Sequence, residues 1–313
     1  MRASIRACAW LVFLFPPGSL PAQTKREQIR VDDRPREYWL HVPTAAAPPT
    51  GYPVVLVFHG GGGNARQIER ETGFSTLADR DTFVVVYPQG IGNQWNDGRV
   101  VRNSRAHEEH VDEVAFVRSV LDTIARHTRI DASRVFATGI SNGGFLANVL
   151  GAHLGDRLAA IAPVAGGIGQ EVVPTFRPTH PVNVLIVQGT EDPLVPYAGG
   201  GVFRGRRGTT ISSDSVVAIW RRVDGLTIEA HREWLPDRDT KDGCRVEVER
   251  WTDPAAPTSV IRYRMVGAGH TWPSGSQYLP RALIGRVCKD VDGSRAIWDF
   301  FRGLRRADAR NPS

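Results

Sequence analysis

The sequence predicts an α/β fold in which a mostly parallel central sheet is covered by helices on both faces and forms a single domain. Two continuous apolar runs, residues 54–58 and 83–87, have the composition of strands that are buried on both faces. Segments with helical spacing alternate with such runs along the chain, and this alternation favours parallel strands. The 313 residues are 41% hydrophobic and 23% charged, which excludes collagen-like and disordered chains.

The individual elements follow in chain order. Two short strands are expected within residues 27–42, before a connector at residues 43–52. A helix follows the strand at 54–58 and ends near Asp79, and Asp112 can cap the start of the next helix. The remaining predicted strands are residues 135–138, 159–164, 182–187, 245–251 and 260–266, and the remaining helices are residues 142–154, 213–223 and 294–304.

The N-terminus predicts a secretory signal peptide. Two arginines without an acidic residue precede an apolar run at residues 7–15, a Pro-Pro-Gly sequence ends the run, and Ala22 offers a small residue for cleavage. The run is shorter than the roughly 20 residues that a membrane anchor needs. We therefore expect a secreted protein, extracellular or periplasmic and without a membrane anchor, with three regions: a signal peptide (1–22), a single folded domain (23–306) and a polar tail (307–313).

The excess of basic residues does not predict nucleic-acid binding. The formal net charge is +6, but only three of the 39 basic residues are lysines, and the arginines are scattered without a dense run. Base-reading and stacking motifs are also absent from the sequence. Arg204, Arg206 and Arg207 form a small cluster, which favours a solvated loop over contact with an acidic polysaccharide.

A candidate nucleophile lies in the sequence Gly139-Ile140-Ser141-Asn142-Gly143. It fits the pattern G-x-S-x-G, in which a serine occupies a tight turn between a strand and a helix, and the flanking glycines avoid clashes there. The pattern alone is weak, and a Gly/Ser loop is the alternative. The predicted strand before it and the predicted helix after it favour a nucleophile at Ser141.

A serine nucleophile needs a base and a carboxylate that orients the base, in the order Ser, Asp or Glu, His in this type of fold. Two carboxylates, Glu191 and Asp192, follow the strand at 182–187, and either could instead bind local backbone amides. Of the nine histidines, only His270 lies after both groups in a loop that directly follows a strand. A purely structural histidine is the alternative.

The reaction also needs backbone N–H groups that bind an oxyanion. The residue after the nucleophile, Asn142, supplies one, and a glycine-rich loop after an earlier strand supplies the other. Residues 59–63 form such a loop, in which Gly61 is the first choice and Gly60 the second. A phosphate-binding loop is excluded because no Lys-Ser/Thr pair follows the glycines.

Removal of the signal peptide would remove Cys8 and leave Cys244 and Cys288. An even pair of cysteines in an exported chain predicts a disulfide, whereas two buried thiols are the alternative. Because the pair brackets His270 in the sequence, a bridge would brace the segment that presents this histidine.

These motifs resemble those of secreted esterases in the polyhydroxybutyrate depolymerase and feruloyl esterase family. The matching segments are the loop HGGGGN (59–64), YPQG (87–90), WND (95–97), VDEV (111–114), the turn around Ser141, GTEDPLVPY (189–197) and GHTWP (269–273), in order between residues 27 and 303. The resemblance implies an α/β-hydrolase fold, the triad Ser141, Asp192 and His270, and ester hydrolysis through an acyl-enzyme without a metal or cofactor. The family often has Pro-Gly-Gly where this chain has Pro273-Ser274-Gly275, which affects the shape of the loop more than the chemistry.

The resemblance also narrows the expected substrates. Depolymerases that attack solid polymer usually carry an additional binding domain, so a soluble substrate is expected here: hydroxycinnamoyl- or acetyl-polysaccharide esters, including plant polysaccharide esters, or hydroxyalkanoate oligomers. Trp95 and Trp272 are candidate substrate contacts because an aromatic wall suits such groups, although core packing suits Trp95 equally well. A serine peptidase of the same fold and a non-catalytic secreted binding protein are the alternative functions.

Overall fold

The computed structural model describes residues 23–307, and ten strands form its main sheet. In the order of their neighbours the strands are β1 (Lys25–Val31), β2 (Arg34–His41), β4 (Val84–Pro88), β3 (Tyr52–Phe58), β5 (Ile130–Ile140), β6 (Ala160–Val164), β7 (Asn183–Gly189), β12 (Ser259–Val266), β11 (Arg245–Thr252) and β10 (His231–Trp234). The short strands β8 (Gly200–Gly201) and β9 (Thr209–Thr210) pair separately. The helices are α1 (Ala65–Thr72), α2 (Phe74–Asp81), α3 (Arg105–Glu108), α4 (Glu113–His127), α5 (Asn142–His153), α6 (Ser213–Val223), α7 (Arg281–Ile284) and α8 (Gly293–Phe301).

The centre of the sheet is parallel and both of its edges are antiparallel. The six strands from β4 to β12 in this order pair in parallel with one another. A hairpin of β1 and β2 joins β4 antiparallel at one edge, and β11 and β10 continue β12 antiparallel at the other edge. The predicted, mostly parallel sheet is therefore confirmed.

Helices cover both faces of this sheet. Alternate residues of β3 point to opposite faces, so Val54 and Leu56 belong to one hydrophobic cluster, whereas Val55 and Val57 belong to another. The first cluster contains apolar side chains of α4, α5 and α6, and the second contains those of α1, α2 and α8. β3 is buried on both faces, which explains why its sequence is continuously apolar.

The structure differs from the predicted elements in a few places. The helix expected to end near Asp79 is two helices, because Gly73 adopts φ 63° and ends α1 in the left-handed conformation. β5 begins at Ile130, several residues before the predicted strand. The sequence analysis missed β10, whose four residues are all exposed and therefore have no apolar side of the kind that identifies a strand.

The parallel strands bring the predicted site residues to one edge of the sheet. The glycine-rich loop at residues 59–63 follows β3, and Ser141 follows β5 directly. Asp192 lies three residues after β7, and His270 lies four residues after β12. Because the carboxyl ends of parallel strands meet at the same edge, residues that are distant in the sequence become neighbours there.

A disulfide connects the residue that precedes β11 with the segment that precedes α8. It joins Cys244 and Cys288, as predicted, with 5.5 Å between their Cα atoms. The predicted signal peptide, including Cys8, lies outside the described residues. Between residues 23 and 307, no helix combines the length and the apolar composition that crossing a membrane requires.

Candidate active site

Ser141 lies in the turn between β5 and α5. Its backbone has φ 57° and ψ −121°, a conformation that residues other than glycine rarely adopt. The turn is tight because α5 begins directly against the end of β3: a Cβ at Gly143 would lie 2.5 Å from the carbonyl oxygen of Phe58. The strand, the strained turn and the helix reproduce the arrangement that the pattern G-x-S-x-G predicts.

His270 and Asp192 form a buried pair. Nδ1 of His270 lies 2.8 Å from Oδ2 of Asp192, and the other carboxylate oxygen accepts hydrogen bonds from the backbone N–H groups of Leu194 and Val195, each at 2.8 Å. Because a carboxylate accepts hydrogen bonds, Nδ1 of the neutral imidazole carries its proton. Nε2 is then the nitrogen that can accept a proton from another group.

The backbone of His270 is held on both sides by the segment that follows it. Its N–H donates to the carbonyl oxygen of Ile284 at 2.6 Å, and its carbonyl oxygen accepts a hydrogen bond from the Tyr278 hydroxyl at 3.0 Å. Nearby, the N–H of Ser274 donates to the carbonyl oxygen of Cys288 at 2.8 Å. The disulfide thus belongs to the segment that fixes the position of His270.

Ser141 and His270 line the same cavity of about 410 Å³, which we call the His270 cavity. Among residues 23–307, no hydrogen bond joins the Ser141 hydroxyl to the imidazole. Glu71 and Tyr278 also line this cavity. Oε1 of Glu71 is buried without a hydrogen-bond partner in the described part of the chain, and burial raises the pKa of this carboxyl group.

Two backbone N–H groups border Ser141 on a second side. Gly61 and Asn142 line a cavity of about 200 Å³ together with Ser141, and we call it the Arg207 cavity after a residue of its wall. Asn142 is the first residue of α5, so its N–H has no acceptor within the helix. The Gly61 N–H likewise has no acceptor among the residues that the structure describes. Both predicted oxyanion donors therefore lie next to Ser141 with their N–H groups available.

The buried side chain of His59 holds the glycine-rich loop in place through contacts of both ring nitrogens. Its Nδ1 lies 2.8 Å from the carbonyl oxygen of Gly60, and its Nε2 accepts a hydrogen bond from the N–H of Gly90 at 3.1 Å. Nδ1 therefore carries the proton of a neutral imidazole. Burial lowers the pKa of His59 to about 4, so the imidazole stays neutral at physiological pH.

The side chain of Asn142 belongs to a buried polar network beneath the site. Its Nδ2 donates to Oδ2 of Asp97 at 2.7 Å and to the carbonyl oxygen of Trp95 at 3.0 Å. Burial opposes ionisation of Asp97, but the adjacent charge of Arg99 and the hydrogen bond from His107 outweigh it, and the pKa of Asp97 lies below its usual range. The network fixes the first turn of α5, where the Asn142 N–H is located.

The structure does not support the predicted substrate contacts of Trp95 and Trp272. Trp95 is fully buried, and its indole N–H donates to the carbonyl oxygen of His59 at 2.8 Å. Trp272 is 1% exposed, and its indole N–H donates to Ser294 at 3.0 Å. Neither side chain lines a cavity next to Ser141. Both tryptophans pack in the interior, and burial of their indole N–H groups is tolerated because each has a hydrogen-bond partner there.

The sequence analysis missed several residues of the site. Glu71 and Tyr278 line the His270 cavity, but each lies in a segment with no recognisable motif. The roles of Asp97 and Arg99 were also missed, although Trp95-Asn96-Asp97 was one of the segments that carried the resemblance. Their ion pair is local in the sequence, but its contact with Asn142 appears only in the folded chain.

Comparison with known proteins identifies relatives over most of the chain. A family model described as esterase PHB depolymerase matches residues 36–177. The protein NocK of Nocardia uniformis subsp. tsuyamanensis, which is named as an esterase, is 31% identical over 291 residues, or 90% of this chain and 83% of NocK. The poly(3-hydroxyalkanoate) depolymerase C of Paucimonas lemoignei is 29% identical over 236 residues, or 73% of this chain and 53% of that protein.

A further relative matches a smaller part of the chain, and one solved structure covers most of it. The feruloyl esterase B of Piromyces equi is 29% identical over 185 residues, which are 56% of this chain and only 33% of that protein. The acetyl xylan esterase from Aspergillus awamori superposes with a TM-score of 0.55 at 16% identity, over 79% of this chain and 94% of the other, which shows a shared fold. The chain therefore has the α/β-hydrolase fold and, given its similarity to NocK along nearly its full length, belongs to the PHB depolymerase family of esterases.

Proposed function

We propose that this protein is a serine ester hydrolase in which Ser141 is the nucleophile, His270 the general base and Asp192 the residue that orients the base. One observation carries the proposal: Ser141, in its strained turn, lines the same cavity as the imidazole of His270, which the buried carboxylate of Asp192 holds in place. This combination matches the roles that nucleophilic acyl transfer requires.

In the proposed reaction, Nε2 of His270 removes the proton of the Ser141 hydroxyl as Oγ attacks the carbonyl carbon of the ester. The tetrahedral intermediate collapses when the bond between this carbon and the alcohol oxygen breaks, and His270 returns the proton to the departing alcohol. A water molecule then attacks the acyl-enzyme by the same route and releases the carboxylic acid. Asp192 holds Nδ1–H throughout and stabilises the imidazolium that forms.

The negative charge of the tetrahedral intermediate needs donors that are already in position. The N–H groups of Gly61 and Asn142 border Ser141 without competing acceptors among residues 23–307. Because His59 and the Asp97 network fix the two segments that carry these groups, little reorganisation is needed during the reaction. We propose both N–H groups as the oxyanion-binding donors.

The proposed substrates are soluble carboxylic esters. Relatives are named as a feruloyl esterase, a polyhydroxyalkanoate depolymerase and an acetylxylan esterase, which supports hydroxycinnamoyl- or acetyl-polysaccharide esters and hydroxyalkanoate oligomers as candidates. We further propose that residues 1–22 direct export and that residues 23–306 are the catalytic domain. The disulfide between Cys244 and Cys288 supports an oxidising compartment.

The proposal is tested by replacing Ser141 with alanine and measuring hydrolysis of p-nitrophenyl acetate. We expect kcat to fall by at least about 10⁴-fold, as is typical when a nucleophile of this kind is removed. Ser215→Ala, a substitution at an exposed position of α6, is the matched control and should retain the activity of the unmodified protein. Undiminished hydrolysis by the Ser141→Ala variant would refute the proposed mechanism.

A further inference from the structure

An arginine-rich groove adjoins one of the two cavities beside Ser141. The Arg207 cavity, which contains Ser141 and both proposed oxyanion donors, shares Phe203 and Arg207 with a neighbouring groove of about 700 Å³. Arg102 and Arg206 also line this groove, and among residues 23–307 Glu171 is the only acidic residue that lines it. The two shared residues therefore place a basic groove next to the cavity that contains Ser141.

Arg207 lines both the Arg207 cavity and the groove, and one of its N–H donors is unsatisfied. Its Nη1 is buried and has no hydrogen-bond partner among residues 23–307. Arg207 as a whole is partly exposed, whereas the buried arginines Arg36, Arg99 and Arg262 each pair with a carboxylate. A buried N–H donor without a partner costs free energy that an acceptor on a bound ligand would recover.

The loop that carries Arg207 is held in this position. Arg99, which is itself paired with Asp97, donates from Nη1 to the carbonyl oxygen of Arg207 at 3.0 Å, and the N–H of Arg207 donates to the carbonyl oxygen of Val202 at 3.1 Å. Thr209 donates to Glu171 at 2.8 Å, so the one carboxylate of the groove already has a partner. The backbone of Arg207 is thus fixed while its guanidinium group remains available.

The two cavities beside Ser141 would receive different parts of an ester. In the proposed reaction His270 must reach the alcohol oxygen, so the alcohol lies in the His270 cavity and the acyl group extends into the Arg207 cavity. In the described part of the chain no lysine or arginine lines the His270 cavity, so this cavity offers no cationic side chain to a negatively charged alcohol. A negatively charged substituent of the substrate is therefore better placed on the acyl group, in the Arg207 cavity, than on the alcohol.

We propose that the preferred substrates carry a carboxylate at the far end of the acyl group and that the Arg207 guanidinium binds it. Monoesters of dicarboxylic acids have this structure. Apolar residues between Ser141 and Arg207, among them Leu194, Val202 and Phe203, would contact the methylene groups of such an acyl chain. This inference rests on the proposed function and adds a substrate class to it, because hydroxycinnamoyl, acetyl and hydroxyalkanoyl groups carry no carboxylate at the far end of the acyl group.

The experiment compares matched pairs of esters in the unmodified protein. Each pair consists of the 4-nitrophenyl monoester of a dicarboxylic acid, adipic or suberic, and the ester of the monocarboxylic acid of equal chain length, hexanoic or octanoic. We expect kcat/KM to be about tenfold or more higher for the charged member of at least one pair, as a charge-assisted hydrogen bond predicts. The preference should weaken as the salt concentration rises. Equal kcat/KM values in both pairs would overturn the inference.

Substitution of Arg207 assigns the preference to this residue. In Arg207→Gln the charged esters should lose about 10- to 100-fold in kcat/KM, while the neutral esters change little. Arg222→Gln, at an exposed residue that lines neither cavity, is the matched control. An equal loss for charged and neutral esters would show that Arg207 is only structural and would overturn the inference.

Ethyl ferulate distinguishes a carboxylate from a neutral acceptor. If Arg207→Gln reduces hydrolysis of ethyl ferulate but not of the monoesters, Arg207 binds phenolic oxygens and the inference is wrong. The proposed function fails separately, since it requires the unmodified protein to hydrolyse the neutral esters at a rate that depends on Ser141.

Discussion

Ser141 can occupy its strained turn because the residues around it are fixed by independent contacts. Gly143 allows α5 to begin against β3, and the side chain of Asn142 is held by Trp95 and Asp97. On the other side, His59 uses both ring nitrogens to connect the glycine-rich loop with Gly90. A strained residue of this kind persists only where the surrounding structure determines its conformation.

The buried imidazole of His59 makes stability depend on pH. Its pKa of about 4 in the folded protein lies below the usual value of about 6.5, so the unfolded chain binds more protons between these two pH values. The stabilisation is present above pH 6.5 and is lost as the pH falls toward 4, by about 3 kcal/mol in total.

Urea unfolding at pH values between 4 and 7.5 measures this effect. We expect the free energy of unfolding of the unmodified protein to fall more steeply toward pH 4 than that of His59→Gln, which cannot titrate at this position. His127→Gln, at an exposed residue, serves as the control. Parallel curves for the unmodified protein and His59→Gln would contradict the assignment of a buried, neutral imidazole.

At the level of elements, the segments after β7 and β12 bring Asp192 and His270 together. Backbone hydrogen bonds connect His270 with Ile284 and Ser274 with Cys288, and the disulfide extends this connection to Cys244 at the start of β11. The predicted brace around the histidine therefore consists of one covalent bond and several hydrogen bonds. His270 is therefore held by the segment at residues 284–288 as well as by its connection to β12.

Removal of the disulfide tests this dependence. The double variant Cys244→Ala/Cys288→Ala should lose up to about 4 kcal/mol in the free energy of unfolding, since a cross-link over a loop of this length restricts the unfolded chain. We also expect a lower kcat, because the segment that holds His270 becomes less ordered. Stability and kcat are measured on the same preparation. If both matched those of the unmodified protein, the disulfide would not brace the site.

At the level of the whole molecule, the sequence was sufficient to predict the parallel sheet and the residues that its edge brings together. The strands β3 and β7 are continuously apolar, so Ser141 and His270 could be predicted from local patterns next to predicted strands, whereas the choice of Asp192 over Glu191 came from the family resemblance. The two cavities could not be predicted, because their walls combine segments with no local pattern, such as those of Glu71, Arg207 and Tyr278. For a related reason the sequence could not decide between substrate contact and core packing for Trp95 and Trp272: an aromatic residue near a motif does not reveal whether its indole N–H has a buried partner.

The proposed mechanism requires above all that Ser141 is a nucleophile activated by its surroundings. The decisive measurement is labelling of the native protein with a fluorophosphonate probe, followed by digestion and mass spectrometry of the labelled peptide. We predict one phosphonate adduct, located on Ser141, and no labelling of Ser141→Ala or of heat-unfolded protein. A native protein that does not react, or one that carries the adduct on a different serine, would contradict the account.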